Sequence, residues 1–338
     1  MTMNKIAGAA LAAFACCVAG LQPATAQDFY KGKTLTILVG FTPGGGFDVN
    51  ARLLARHIPR HIPGTPEVIV QNMPGAGSAT SVLYLDASAP KDGTLIDTFN
   101  FGLIGDSLFQ PNKTKMDFRN YAWIGSISED LTVCYVWAAT GVKSLADMKK
   151  RGNFHFGLTA VGASEDVNTR ILKSIFGVDI HQVAGYPGSA EERLSIERGE
   201  LDGGCGAWSS IPEDWVKDGK ISPVTRSAET RPPDLPASVP YYVDIAPSPR
   251  AGEIARLLVA HGDVGRPFIA SKAVPADRIK ILQDAFDATM KDPAFIADVQ
   301  KARLPFSPKT GPEALKTVQQ IYAAPKDIVA EGRKVLEE

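Results

Sequence analysis

Apolar positions in this chain fall into short continuous runs. Each run leads into a glycine-rich turn and then into apolar residues at helical spacing. The first unit shows the pattern most fully. Leu35-Thr36-Ile37-Leu38-Val39 is the run expected of a buried parallel strand. Gly40-Phe41-Thr42-Pro43-Gly44-Gly45-Gly46 predicts a turn in which positive φ costs little. From Asp48 onward, Val49, Leu53, Leu54 and Ile58 recur on one helical face. A glycine loop opening into a helix leaves unpaired N–H groups facing whatever sits above it, which suits an anion or a carboxylate. The same residues also suit an ordinary tight strand-to-helix turn, and both readings stand at this point.

The pattern repeats. Glu67–Asn72 is a second strand, leading into Met73-Pro74-Gly75-Ala76-Gly77-Ser78 and a helix to about Ala87. Thr94–Phe99 is a third, ending at Asn100-Phe101-Gly102. Regular alternation of strand and helix predicts a doubly wound α/β domain with its loops gathered at the carboxyl edge of the sheet, where ligands bind. After an apolar strand at Leu131–Trp137, a second α/β unit begins at Asn153–Leu158. Its loop runs Thr159-Ala160-Val161-Gly162-Ala163, and its helix ends at Gly177. Ile180–Ala184 then leads through Gly185-Tyr186-Pro187-Gly188-Ser189 into another helix, followed by strands ending near Trp208 and Val224. The Pro-rich segment at residues 231–236 marks an exit from this unit. The tail reads as helical, with a short strand at Pro267–Ala270 and a last helix from Gly311. A chain that builds one unit, builds a second and returns predicts two lobes joined by a hinge around a cleft. The expected division is residues 27–129 with 240–338, and 130–239. No internal repeat is evident.

Residues 1–26 stand apart. Lys5, the apolar run Ile6–Gly20 and Ala24-Thr25-Ala26 form an export signal removed before Gln27, which points to the periplasm. Cleavage leaves 35 basic against 37 acidic residues, a net −2, so neither nucleic acid nor an anionic membrane surface is indicated. It also removes Cys16 and Cys17. Cys134 and Cys205 remain, far apart in sequence, and are expected as buried free thiols.

The chemistry for most enzymes is missing. The first loop lacks the Gly-Lys-Ser/Thr ending of a phosphate-binding P-loop, and no Gly-x-Ser-x-Gly elbow occurs. His57, His61, His155, His181 and His261 show no metal spacing, and no cofactor is expected.

The loop residues resemble a family. Phe41-Thr42-Pro43-Gly44-Gly45-Gly46-Phe47-Asp48 is similar to the Phe-x-x-Gly-Gly-x-x-Asp loop of Bug-type solute receptors, the substrate-binding components of tripartite tricarboxylate transporters. Asn72-Met73-Pro74-Gly75-Ala76-Gly77 resembles their Asn-x-Pro-Gly-Ala-Gly loop. Pro90–Leu95, Tyr186-Pro187-Gly188-Ser189 and Gly199-Glu200-Leu201-Asp202 match more loosely. The resemblance implies a two-lobed type II periplasmic binding-protein fold and a small carboxylate held between the lobes, with transporter subunits as partners and a monomeric receptor. Its ligand contacts fall on Phe41, Thr42, Pro43, Gly44, Gly45 and Asp48, and on Gly75, Ala76 and Gly77. Asn100, Thr159, Ala160, Tyr186, Gly188, Ser189 and Trp208 join them from the remaining loops. The family's Ser-Ser-Gly-x-Gly-Ser run is Leu158–Ala163 here, and its following His is Asp166. A dicarboxylate or an aromatic acid is the expected ligand. Asp48 suits a loop-bracing or first-turn role. A hydrolase using Ser164 or Ser189 and a ligand-dependent sensor partner are the alternatives.

Overall fold

A computed structural model describes residues 29–159, 161–186 and 188–337, so the export signal, Ala160 and Pro187 lie outside the described residues. Two sheets organise it. Eleven strands run in chain order: β1 (Thr34–Val39), β2 (Glu67–Asn72), β3 (Leu95–Thr98), β4 (Tyr121–Ser126), β5 (Thr132–Trp137), β6 (Phe154–Leu158), β7 (Ile180–Ala184), β8 (Gly203–Ala207), β9 (Ile221–Arg226), β10 (Pro267–Ser271) and β11 (Lys309–Thr310). The first sheet has the order β11-β4-β10-β3-β1-β2, the second β7-β6-β8-β5-β9.

Leu35, Ile37, Leu38 and Val39 are fully buried because β1 is interior and covered on both faces. β1 runs parallel to both β2 and β3, so the three loops that follow these strands share one edge, as the pattern predicted. The tail returns to this sheet more deeply than expected. β10 inserts antiparallel between β3 and β4, with Ile269 opposite Asp97 and Trp123. The strand β4 was not legible, since Tyr121-Ala122-Trp123-Ile124-Gly125-Ser126 mixes aromatic, small and polar residues. Its Gly125 is required by packing: a Cβ there would lie 2.2 Å from the Phe286 ring. The tail also ends in two helices, Gly311–Tyr322 and Lys326–Glu337, separated at Pro325, where the expected single helix cannot continue.

The chain crosses between the sheets after β4 and returns before β10. Arg266 donates to Asp130 at 2.6 Å and to the Gly265 carbonyl at 2.7 Å. Both charged side chains are almost fully buried, so this pair ties the two crossings together.

The cysteines correct the expectation of free thiols. β5 and β8 are antiparallel neighbours with Cys134 directly opposite Cys205, and the two form a disulfide with a Cα–Cα distance of 4.0 Å. Their separation of 71 residues hid a contact that only strand pairing creates. Closing a loop of that size is worth about 4 kcal/mol on the chain-entropy account. Reduction, or Cys134→Ala with Cys205→Ala, should lower the melting temperature by roughly 5–10 °C. Calorimetry with and without reductant measures it, and an unmoved transition contradicts the bond's role.

Candidate functional site

The glycine loop after β1 is held by one carboxylate. Asp48 is the third residue of the helix Gly46–His57 and is 2% exposed. Its Oδ2 accepts the Gly44 N–H at 2.8 Å and Arg52 Nε at 2.9 Å, and its Oδ1 accepts Asn72 Nδ2 at 2.9 Å. Asn72, the last residue of β2, also donates to the Phe41 carbonyl at 2.8 Å. Burial alone pushes the Asp48 carboxyl up, but the hydrogen bonds from Arg52, Gly44 and Asn72 outweigh it and hold the group below the ordinary carboxylate range. Gly44 takes φ +90°, a conformation favouring glycine.

The loop after β6 is built the same way. Asp166 is the third residue of the helix Ser164–Arg170. It accepts the Gly162 N–H at 2.8 Å, Arg170 Nε at 2.8 Å and Gln182 Nε2 at 2.6 Å. Gln182 sits two residues earlier in β7 than Asn72 does in β2, and its longer side chain spans the difference. Asn50 donates to the Gly46 carbonyl and Asn168 to that of Ser164, each four residues back. The sequences agree at four of five positions: Asp48-Val49-Asn50-Ala51-Arg52 and Asp166-Val167-Asn168-Thr169-Arg170. The chain therefore does carry an internal repeat, contrary to expectation. Four residues recurring once across more than a hundred are too faint a signal without the folded contacts.

The second loop of the first sheet is backbone-strained. Gly75, Ala76, Gly77 and Ser78 all have positive φ, two of them non-glycine, at a cost of order 1–3 kcal/mol each. The strain is held from below. Ser78 Oγ donates to the Gly40 carbonyl at 3.3 Å and accepts the Asn100 N–H at 3.1 Å. Asn100 Oδ1 in turn accepts the Gly102 N–H at 2.9 Å. Phe41 stacks on Phe47 at 4.8 Å, and Arg266 lies 4.7 Å over the Phe47 ring.

The two sets of loops meet. A Cβ on Gly102 would lie 2.9 Å from the Gly162 carbonyl, and one on Gly162 would lie 2.6 Å from Asp106 Oδ2. Thr42, Pro43, Gly44, Gly45, Gly75 and Ala76 are exposed at the edge of the first sheet, with Phe41 and Gly77 half-buried. Facing them, Thr159 gives its N–H to Glu165 at 3.0 Å, and its hydroxyl also bonds Glu165. Gly188 caps the helix Ser189–Glu197, whose first residue is exposed. Tyr186 and Trp208 lie further back. Tyr186 packs on the second lobe's aromatic cluster, while Trp208 is 7% exposed and donates to Asp234 at 3.0 Å. Trp208, Arg231, Arg266 and Arg303 line a cavity of about 400 Å³ between the sheets. Sequence reasoning missed Arg52, Asn72, Arg170, Gln182 and Arg266. An Arg four residues after each Asp was the available sign. Among the described residues no group of His, Cys, Asp and Glu is arranged to hold a metal, and no helix is long and apolar enough to cross a membrane.

Known proteins share this fold. No family model matches the chain. It is 24% identical over 278 residues to the UPF0065 protein in the TAR-I ttuE-ttuC′ intergenic region of Agrobacterium vitis, covering 81% of this chain and 76% of that one. It is 29% identical over 177 residues to BugT of Bordetella pertussis, about half of each chain. The chain is similar to Bug-type periplasmic solute receptors. Its fold agrees: the periplasmic binding protein BugD superposes with a TM-score of 0.67 at 19% identity, covering 91% of this chain and 98% of that one. MatC from Rhodopseudomonas palustris, solved with bound malate, gives 0.68 at 18% identity over 90% and 99%. An R. palustris protein solved with adipate gives 0.69 at 19% identity over 89% and 97%. The two-lobed periplasmic binding-protein fold follows.

The two braces differ in exposure, which separates their energetics. Arg52 is 46% exposed, whereas Arg170 is 15% exposed beside a buried Asp166. Asp166→Ala strands a buried cation and should cost about 3 kcal/mol. Asp48→Ala leaves Arg52 free to hydrate and should cost about 1–2 kcal/mol. Urea unfolding of both variants measures the order, and equal losses contradict it.

Proposed function

We propose that this chain is a periplasmic receptor that captures a small organic carboxylate between its lobes and delivers it to a tripartite tricarboxylate transporter. The observation that carries this reading is the duplicated brace. In each lobe a glycine-bearing loop at a helix start is tied to a helix carboxylate that is itself bonded from the next strand. Donors fixed in advance lose little freedom when an anion arrives, so binding costs less. The ligand contacts are Phe41 to Gly45 and Gly75 to Gly77 from the first lobe. Thr159, Tyr186, Gly188 and Ser189 oppose them, with the division between lobes near residues 130 and 240. Asp48 braces its loop. Neighbours solved with malate and with adipate support a carboxylate as the class of ligand.

The hydrolase alternative finds little support, since Ser164 engages Thr132 and Ser189 makes no described hydrogen bond. Ligand-stripped protein heated with a panel of mono-, di- and tricarboxylates should melt higher with at least one of them, because a ligand that binds only the native state stabilises it. No shift with any member contradicts the receptor reading. For the carboxylate that binds, Asp48→Ala should weaken affinity about tenfold, a factor worth 1.4 kcal/mol. Calorimetric titration of the folded variant reads this, and unchanged affinity contradicts the bracing role.

A further inference from the structure

The face of the second sheet beneath the helix Ser189–Glu197 is bare of side chains where the cleft would reach it. Gly157 on β6 and Gly204 on β8 both point there, and Glu192 from the helix fills the space they leave. A Cβ on Gly157 would lie 2.6 Å from Glu192 Cγ, and one on Gly204 would lie 2.4 Å from Glu192 Oε1. The Tyr135 hydroxyl is 3.8 Å from the same Gly204 position. Two residues on, toward the carboxyl end of β8, nothing lies within 4 Å of the Cβ position of Gly206. Thr159 follows Gly157 by two residues and so continues the same face. The open strip at Gly206 therefore runs from the loop of Thr159 down to Glu192.

Glu192 is 5% exposed; its backbone N–H bonds the Gly188 carbonyl, while none of the described side-chain hydrogen bonds or ion pairs engages its carboxyl. Its carboxyl therefore keeps hydrogen-bonding capacity for a group from outside the chain. Three groups face it: Glu165 from the helix Ser164–Arg170, Tyr135 from β5, and Arg193 from its own helix. Burial first, and the charge of Glu165 second, raise its pKa to about 8. At neutral pH it is an acid with a proton to donate, and the nearby Glu165 carboxylate repels a further anion. An uncharged oxygen suits this place and a second carboxylate does not.

We propose that Glu192 and Tyr135 form the far end of the ligand cleft and select a monocarboxylate whose distal end is an uncharged oxygen acceptor. The inference rests on the receptor reading and narrows it: the ligand's carboxylate goes to the first-lobe loops, and its carbonyl or amide end goes to Glu192.

Paired probes of equal length test it: adipate against its monoamide, and malate against its 4-monoamide, titrated calorimetrically into ligand-stripped protein at pH 7 and pH 9. At pH 7 the amide of at least one pair should bind at least about tenfold tighter than its diacid. As pH rises through about 8 the proton leaves Glu192, and affinity for the amide should fall several-fold. Glu192→Gln, neutral throughout, should flatten that pH profile, and Tyr135→Phe should weaken the amide while leaving the profile in place. A diacid bound as tightly as its amide, or a Glu192→Gln profile matching the parent's, overturns the proposal. Binding of a diacid in preference overturns this inference alone. Failure of every probe, with either end, overturns the carboxylate reading with it.

Discussion

A carboxylate one turn inside a helix, accepting the N–H of a residue four positions earlier, is the contact on which both halves of the molecule depend. It ties a glycine-bearing loop, flexible by composition, to the helix behind it and the strand beside it. The partners of that carboxylate explain its neighbours. An Arg one turn later offsets its charge, and an amide from the adjacent parallel strand fixes the loop to the sheet. Because the amide comes from the next strand, the brace works only where two parallel strands lie side by side. That condition makes the β1–β2 and β6–β7 pairs structurally equivalent.

Much of this could be read from the residues. The strands β1, β3 and β6 announce themselves through apolar runs, since interior parallel strands are covered on both faces, whereas the edge strands β2 and β7 are half-exposed and were legible from the glycine turns that follow them. Asp48 was recognisable as a brace because it stands at a helix start behind a glycine loop. What escaped reading was whatever depends on contact between distant segments. Cys134 and Cys205 meet only through antiparallel pairing, and β4 is a strand only because β10 and β11 flank it. Trp208, expected at the cleft, lines the cavity between the sheets while its indole N–H is held by Asp234, a partner 26 residues away that the residues did not announce. The departure at Asp166, where the family pattern has His, cast doubt on the second lobe's contacts. The folded arrangement gives that Asp a definite task.

The two lobes share a brace but not a chemistry. The first presents exposed glycines at positions 44, 45 and 75 and a strained turn at residues 75–78. The second presents Thr159 already engaged by Glu165, with Glu192 behind it. Under the proposed receptor reading such a cleft is polarised, and a ligand with two different ends would fit it in one orientation.

The insertion of β10 between β3 and β4 also sets an order of assembly. The second sheet is drawn from one continuous stretch, residues 132–226, and can close as soon as that stretch is available. The first sheet cannot: Asp97 must wait for Ile269, and Ser126 for both Pro267 and Lys309. In a chain that emerges from its amino end, the lobe that begins first is therefore completed last. Its apolar strands stay uncovered until the tail arrives, the interval in which such a protein is most open to aggregation.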